Sequence, residues 1–286
     1  MIFLPILAGI FLGIIGLGYR LGQARGISTP IVVLYMSACG AAYFATQTSL
    51  QSFGQAPARV YFDAIVAGLA QYVCIELVAM ALARGPLSPI WCALNLVFVP
   101  VIFYAAIFFA EAISVPKFVG IALAISCVVF GALGKKEAAG AAPARAFLYF
   151  AILVAALVTN AFLHLGIKDL TGLQLMDRFG GVFFVAMYAS LAAPIAVKLL
   201  IGRASRVFSR FAVASGAIAG FGSVAGFSVM SYAAARQPAA VVFTIASIMS
   251  LITASLISVA FFRERVTWQW CAMIGCAAAA VILVNV

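Results

Sequence analysis

Glu76 is one of only seven acids in the chain, and it falls inside a long apolar run. A carboxylate within a membrane span is costly and marks a functional site by default. It suits two tasks, binding a cationic group or taking up a coupling proton; an interhelical hydrogen bond is the structural alternative. Helical spacing puts Tyr72 on the same face one turn earlier, with Gln71 one face over, near mid-span. His164, the single histidine, follows Asn160 by one turn. Its ordinary pKa suits a proton relay, while a place near a helix end favours an interfacial role. Arg178 adjoins Asp177; neighbours in sequence do not face each other on a helix, so each needs a partner elsewhere. The planar fork of Arg178 could grip a carboxylate or phosphate, or anchor the helix at the interface. Trp91 and Asn95 lie four apart, which pairs an aromatic wall with one polar anchor, a common pocket arrangement; helix packing explains the pair equally well. Pro100 follows in the same span and removes a backbone hydrogen bond, so a kink is expected there. Glu76, Gln71, Tyr72, Trp91, Asn95, Asn160, His164 and Arg178 are the substrate-binding or coupling candidates. No HExxH, GxSxG or Walker loop is present, so catalytic residues, metal ligands and cofactors are not expected.

The elements that must position these residues follow from composition. Hydrophobic residues make up 66% of the 286 residues and charged residues 8%. Soluble domains are about half apolar and a quarter charged, so this chain cannot clothe a soluble surface. The expected fold is all-α, a polytopic membrane protein with the lipid bilayer as its main partner. Ten spans are predicted near 2–19, 30–52, 60–83, 88–109, 116–134, 146–166, 173–201, 210–234, 239–262 and 267–286. Helices satisfy every backbone group internally, which lipid requires. The first segment has no charged start and runs on as a span, so no cleaved leader is expected. The net charge of +10 sits in short loops, without a basic stripe for nucleic acid. The six cysteines form no CxxC pair and read as small packing residues. Gly9 and Gly13 in span one, and Gly216, Gly220, Gly222 and Gly226 in span eight, have the spacing of close helix contacts.

The sequence also contains an internal echo. Arg84-Gly85-Pro86 returns as Arg236-Gln237-Pro238, and Phe108-Phe109-Ala110-Glu111-Ala112-Ile113-Ser114 returns as Phe261-Phe262-Arg263-Glu264-Arg265-Val266-Thr267. Ser114 and Thr267 are natural N-caps for spans five and ten, and the two glutamates favour positive helix starts. The expected organisation is a first five-helix repeat over 1–135, a linker over 136–145, and a second repeat over 146–286. An odd number of spans per copy inverts the second copy, as in transporters that alternate access around a midplane site. Twelve Lys and Arg fall near odd-numbered loops and five near even-numbered ones. Positive loops face the cytoplasm, which predicts termini outside in a cell membrane such as a bacterial inner membrane.

The paired Phe109-Ala110-Glu111-Ala112-Ile113-Ser114 and Phe262-Arg263-Glu264-Arg265-Val266-Thr267 turns resemble the drug/metabolite transporter superfamily, EamA type. Asp177-Arg178-Phe179 looks like that family's Arg-Phe pair early in the second helix of a repeat; the stretch near Tyr35-Met36-Ser37 lacks it. The resemblance implies a cavity lined by helices one, three, four, six, eight and nine, with five and ten peripheral. The expected function is secondary transport of a small polar or amphipathic metabolite, amino-acid-like or a drug, with protons as a possible coupling ion, in a monomer or homodimer. A lipid flippase or an intramembrane enzyme is the alternative.

Overall fold

The computed structural model of the chain describes residues 2–82, 90, 93–133, 143–202, 208–262 and 268–284. Trp91, Arg84-Gly85-Pro86, most of the 136–145 linker, and Glu264 with its flanking Arg263 and Arg265 lie outside the described residues.

Every regular element described is a helix: α1 Phe3–Ala24, α2 Thr29–Gln47, α3 Leu50–Gln55, α4 Ala58–Leu82, α5 Phe98–Phe108, α6 Val115–Leu133, α7 Pro143–Gly172, α8 Met176–Ile201, α9 Arg210–Ala234, α10 Ala239–Phe262 and α11 Trp268–Val284. Seven of these are long and apolar enough to cross a membrane: α1, α2, α4, α7, α8, α9 and α10. Shorter apolar helical stretches, Ala93–Phe108, Val115–Ser126 and Ile274–Leu283, occupy the places expected for spans four, five and ten. Among the described residues the chain is therefore all-helical, with several helices fit to span a membrane.

Boundaries differ from the sequence reading in three instructive places. The span expected over 30–52 ends at Gln47, and a short separate helix, α3, follows. Ser49 caps α3 through its hydroxyl, which accepts from Ser52 N (3.3 Å); a capping serine stops one helix by starting the next. The sixth segment extends to Gly172, so His164 lies inside α7 rather than at its end. The first helix likewise runs a turn past Arg20, to Ala24.

Two of the turns are built alike. Gly26 is left-handed (φ 68°), and Ile27 N donates back to Gly22 O (2.9 Å). Gln174 is left-handed too (φ 57°), and Leu175 N donates back to Leu170 O (2.8 Å). This is the Schellman ending, in which a left-handed residue folds the chain back onto orphaned carbonyls.

Inside the bundle α1 packs along α9 and α10, α4 along α7 and α8, and α2 against both α8 and α9. α5 lies against α7 and α10, and α6 against α11. Small residues permit these approaches. A methyl group at Gly216 would sit 2.2 Å from Tyr35 Cβ, and one at Gly222 would sit 2.7 Å from Phe11 O. The two glycine pairs of α9 thus serve different neighbours: Gly216 and Gly220 admit α2, while Gly222 and Gly226 admit α1. Gly9 and Gly13 admit α10. Lipid gives no hydrophobic drive between helices, so close packing of this kind supplies the attraction. The largest buried cluster includes Phe44, Phe184 and Phe227, whose rings stack in sequence (4.5 Å and 6.2 Å between centroids).

Candidate functional site

Pro100 shapes the local backbone that organises the site. Proline lacks an N–H and its ring crowds the carbonyl four residues back. Helical geometry breaks at Leu96–Val97, just before α5, and the hydrogen bonds tighten: Leu96 N to Ala93 O (3.1 Å), Val97 N to Leu94 O (3.4 Å), Val99 N to Leu96 O (3.0 Å). The expected disturbance is present, displaced toward the N-terminus of the proline. It leaves the Leu94 carbonyl able to accept a second hydrogen bond, from Asn160 Nδ2 (3.2 Å).

Asn160 is the hub of a neutral polar row. Gln71 Nε2 donates to Asn160 Oδ1 (2.9 Å) and to its backbone carbonyl (3.2 Å). His164 Nδ1 lies 3.3 Å from the same carbonyl. A carbonyl only accepts, so Nδ1 carries the hydrogen. The imidazole sits edge-on to Phe227 (6.1 Å) and Phe243 (5.9 Å) and is 8% exposed. The lone histidine is therefore a buried wall residue and not an interfacial one.

This row borders a cavity of about 170 Å³. Gln71, Asn95, Asn160 and His164 line it, on α4, the segment before α5, and α7. Phe227 and Phe243 give it aromatic wall, and Tyr188 and Ser223 meet there in a 2.6 Å hydrogen bond. Tyr19, Arg20 and Gln23 extend the wall along α1 toward the α1–α2 turn. Gln23 is exposed, so the cavity reaches the surface at that end.

The other end of α7 meets charges. Four residues beyond His164, Lys168 Nζ pairs with Glu111 Oε1. Glu111 Oε2 accepts from Ala239 N (2.7 Å), the first residue of α10. A carboxylate at a helix N-terminus satisfies an orphan donor and opposes the helix dipole. Left-handed Ala110 (φ 52°) turns the chain after α5 to present this side chain. Glu111 thus caps α10, across the bundle, rather than the helix that follows it. Next along α7, Asp169 Oδ2 accepts from Arg59 Nε (3.0 Å), and Asp169 Oδ1 accepts from Tyr104 OH (2.5 Å). Arg59 also donates to Asp63, one turn along α4 (3.1 Å). Lys168 and Arg59, which sequence counts as loop charges, are helix residues neutralised by acids. The cluster ties together α4, α5, α7 and the start of α10.

Other sequence candidates lie away from the cavity wall. Glu76 Oε2 accepts from Lys198 Nζ (2.5 Å) on α8, a pair partly open to the surroundings. Tyr72 packs against a buried cluster that includes Ile27, Ile31, Ile75 and Ile195. Arg178 donates to Gln55 Oε1 (2.9 Å) and lies 5.0 Å over the Phe179 ring, which is an anchoring arrangement. Sequence reasoning did not single out Arg59, Asp63, Asp169, Tyr188 or Ser223. The i,i+4 spacing of Arg59 and Asp63 was the available signal for one pair. Nothing local distinguishes Tyr188 or Ser223 from many similar residues.

No family model and no curated protein matches the sequence. Among solved structures, one titled "Crystal structure of protein" has a similar fold, with a TM-score of 0.78 over 99% of this chain and 94% of that chain at 14% identity.

Proposed function

We propose that the chain is a secondary transporter of the drug/metabolite transporter superfamily, EamA type, built from ten crossings in an inverted five-plus-five repeat. What supports this reading is a set of matched turns and helix contacts in the two halves. Gly18, Gly22, Gly26 and Ile27 correspond to Gly166, Leu170, Gln174 and Leu175, each pair 148 positions apart and sharing one turn motif. A methyl group at Gly18 would sit 2.6 Å from Ser215 O on α9, and one at Gly166 would sit 3.7 Å from Asp63 O on α4; Asp63 and Ser215 are 152 apart. A methyl group at Gly68 would sit 2.4 Å from Met187 O and 2.7 Å from Ser190 Cβ, and one at Gly220 would sit 3.4 Å from Met36 O and 2.8 Å from Cys39 Cβ. Gly68 and Gly220 are again 152 apart, while Met36 and Met187, like Cys39 and Ser190, are 151 apart. Helix pairs exchange in the same way: α1–α9 with α7–α4, α1–α10 with α7–α5, and α2–α9 with α8–α4.

Related halves around a central cavity are the architecture of alternating access. The cavity reaches one end of the bundle, and the charged cluster holds the helices together at the other. The positive-loop count assigns the mouth to the cytoplasmic side and the termini to the opposite side of a cell membrane. A small polar or amphipathic metabolite fits the amide, hydroxyl and aromatic wall. The test is flux into liposomes holding only this protein, for amino acids, sugars and aromatic amines, with and without a pH gradient. Saturable protein-dependent flux supports transport. Flux equal to empty liposomes for every solute, together with a topology map showing an even number of crossings per half, rejects it.

A further inference from the structure

The hydrogen-bond directions in the polar row reveal which atoms are left for a ligand. Gln71 Nε2 has two hydrogens and two protein acceptors, both on Asn160. Asn160 Oδ1 is taken by Gln71, and Asn160 Nδ2 is directed at Leu94 O. His164 spends its Nδ1 hydrogen on the Asn160 carbonyl. An amide has one accepting and one donating end, and a neutral imidazole has one nitrogen of each kind. That leaves Gln71 Oε1 and His164 Nε2 as acceptors, beside the second hydrogen of Asn160 Nδ2, on side chains that line the cavity. Neither acceptor is among the buried polar atoms lacking a partner, and neither has a protein donor among the described residues. They therefore face accessible space.

We propose that Gln71 Oε1 and His164 Nε2 form the polar recognition pair of the cavity and select a ligand group that donates N–H or O–H. This deepens the transport reading and rests on it for its role, although the binding preference stands alone. The Phe227 and Phe243 rings beside the imidazole supply apolar wall for the rest of the ligand. No carboxylate is among the described residues of the wall, so an ammonium ion finds no counter-charge there, and Arg20 lies along α1 toward the mouth, away from the Gln71 and His164 acceptors. A carboxylate or phosphate group would set its lone pairs against the two acceptors. The class favoured is an uncharged amide or alcohol carrying a small aromatic or aliphatic body.

Matched probes test this directly. Benzamide offers N–H donors; N,N-dimethylbenzamide has the same ring and carbonyl but none; benzoate offers only acceptors. Binding of each to the purified full chain is measured by saturation-transfer NMR titration in detergent. Benzamide should bind on the order of tenfold more tightly than either analogue, because a buried acceptor left unpaired carries the full desolvation penalty. Gln71→Leu and His164→Phe should each erase most of that preference, and either variant suffices if the other does not fold. Equal or tighter binding of N,N-dimethylbenzamide or benzoate, or binding by none of the three, overturns the proposal. Each of those results leaves the transport reading to be judged by flux, which does not depend on this preference.

Discussion

Gln71 and His164 meet Asn160 as neutral groups on the cavity wall, whereas Lys168 and Asp169, one to two turns further along α7, meet Glu111 and Arg59 as charges outside it. The same helix carries both clusters about 6 Å apart along its axis, at 1.5 Å per residue. Neutral amides can satisfy most of their hydrogen bonds within the protein and still leave one lone pair for a solute. Charges in a low-dielectric setting demand full pairing, because a buried charge without a partner is far costlier than an unpaired amide. The neutral cluster can therefore serve a changing occupant, and the charged cluster serves a fixed contact between helices.

Breaking the charged cluster should cost most. Lys168→Met leaves Glu111 holding α10 without its counter-charge, and stability should fall by about 3 kcal/mol, the scale for removing one partner of a buried pair. Thermal unfolding in detergent reads this. Adding Glu111→Gln should recover part of the loss, and strictly additive losses would show that the pair does not interact. Asp169→Asn comes next, at about 2 kcal/mol, since Arg59 and Tyr104 both lose a charged acceptor; Arg59 keeps Asp63, which limits the damage. In the neutral cluster, Gln71→Leu should cost only about 1.5 kcal/mol, because two ordinary hydrogen bonds to Asn160 are lost. A loss from Gln71→Leu as large as that from Lys168→Met would erase the contrast between the clusters. Glu76→Gln should change stability least, by less than about 1 kcal/mol, because the Lys198 pair is partly open and such pairs contribute little. Because Glu76 lies off the cavity wall, the same variant should keep the benzamide affinity of the unaltered protein. A tenfold loss there would return Glu76 to the site.

The helices were legible because apolar runs of span length leave lipid-crossing helices as the economical reading. Part of the site was legible for a related reason. Gln71, Asn95, Asn160 and His164 are polar residues in apolar helices, and such residues must turn inward. The same rule drew attention to Glu76, yet its partner Lys198 sits on a helix far along the chain, and sequence spacing does not tell which of two inward or outward faces a carboxylate takes. The charged cluster was harder still. Lys168 and Arg59 look like ordinary loop charges at helix ends, and only packing of α7 against α4 and α5 brings Asp169 and Tyr104 to them. The role of Glu111 was visible as a helix-start acid, but the helix it caps is chosen by tertiary contact.

Two-sided accessibility tests the central claim most directly. A cysteine replacing Ser250, on the cavity wall, in a chain whose six native cysteines are changed to Ala, is challenged with a membrane-impermeant thiol reagent from each face of oriented vesicles. Labelling should come from the face of the α1–α2 turn and be blocked from the face of Glu111, and Glu111→Gln should admit reagent from the second face. Equal labelling from both faces of the otherwise unaltered chain, or labelling only from the Glu111 face, would contradict a cavity open at one end and latched at the other.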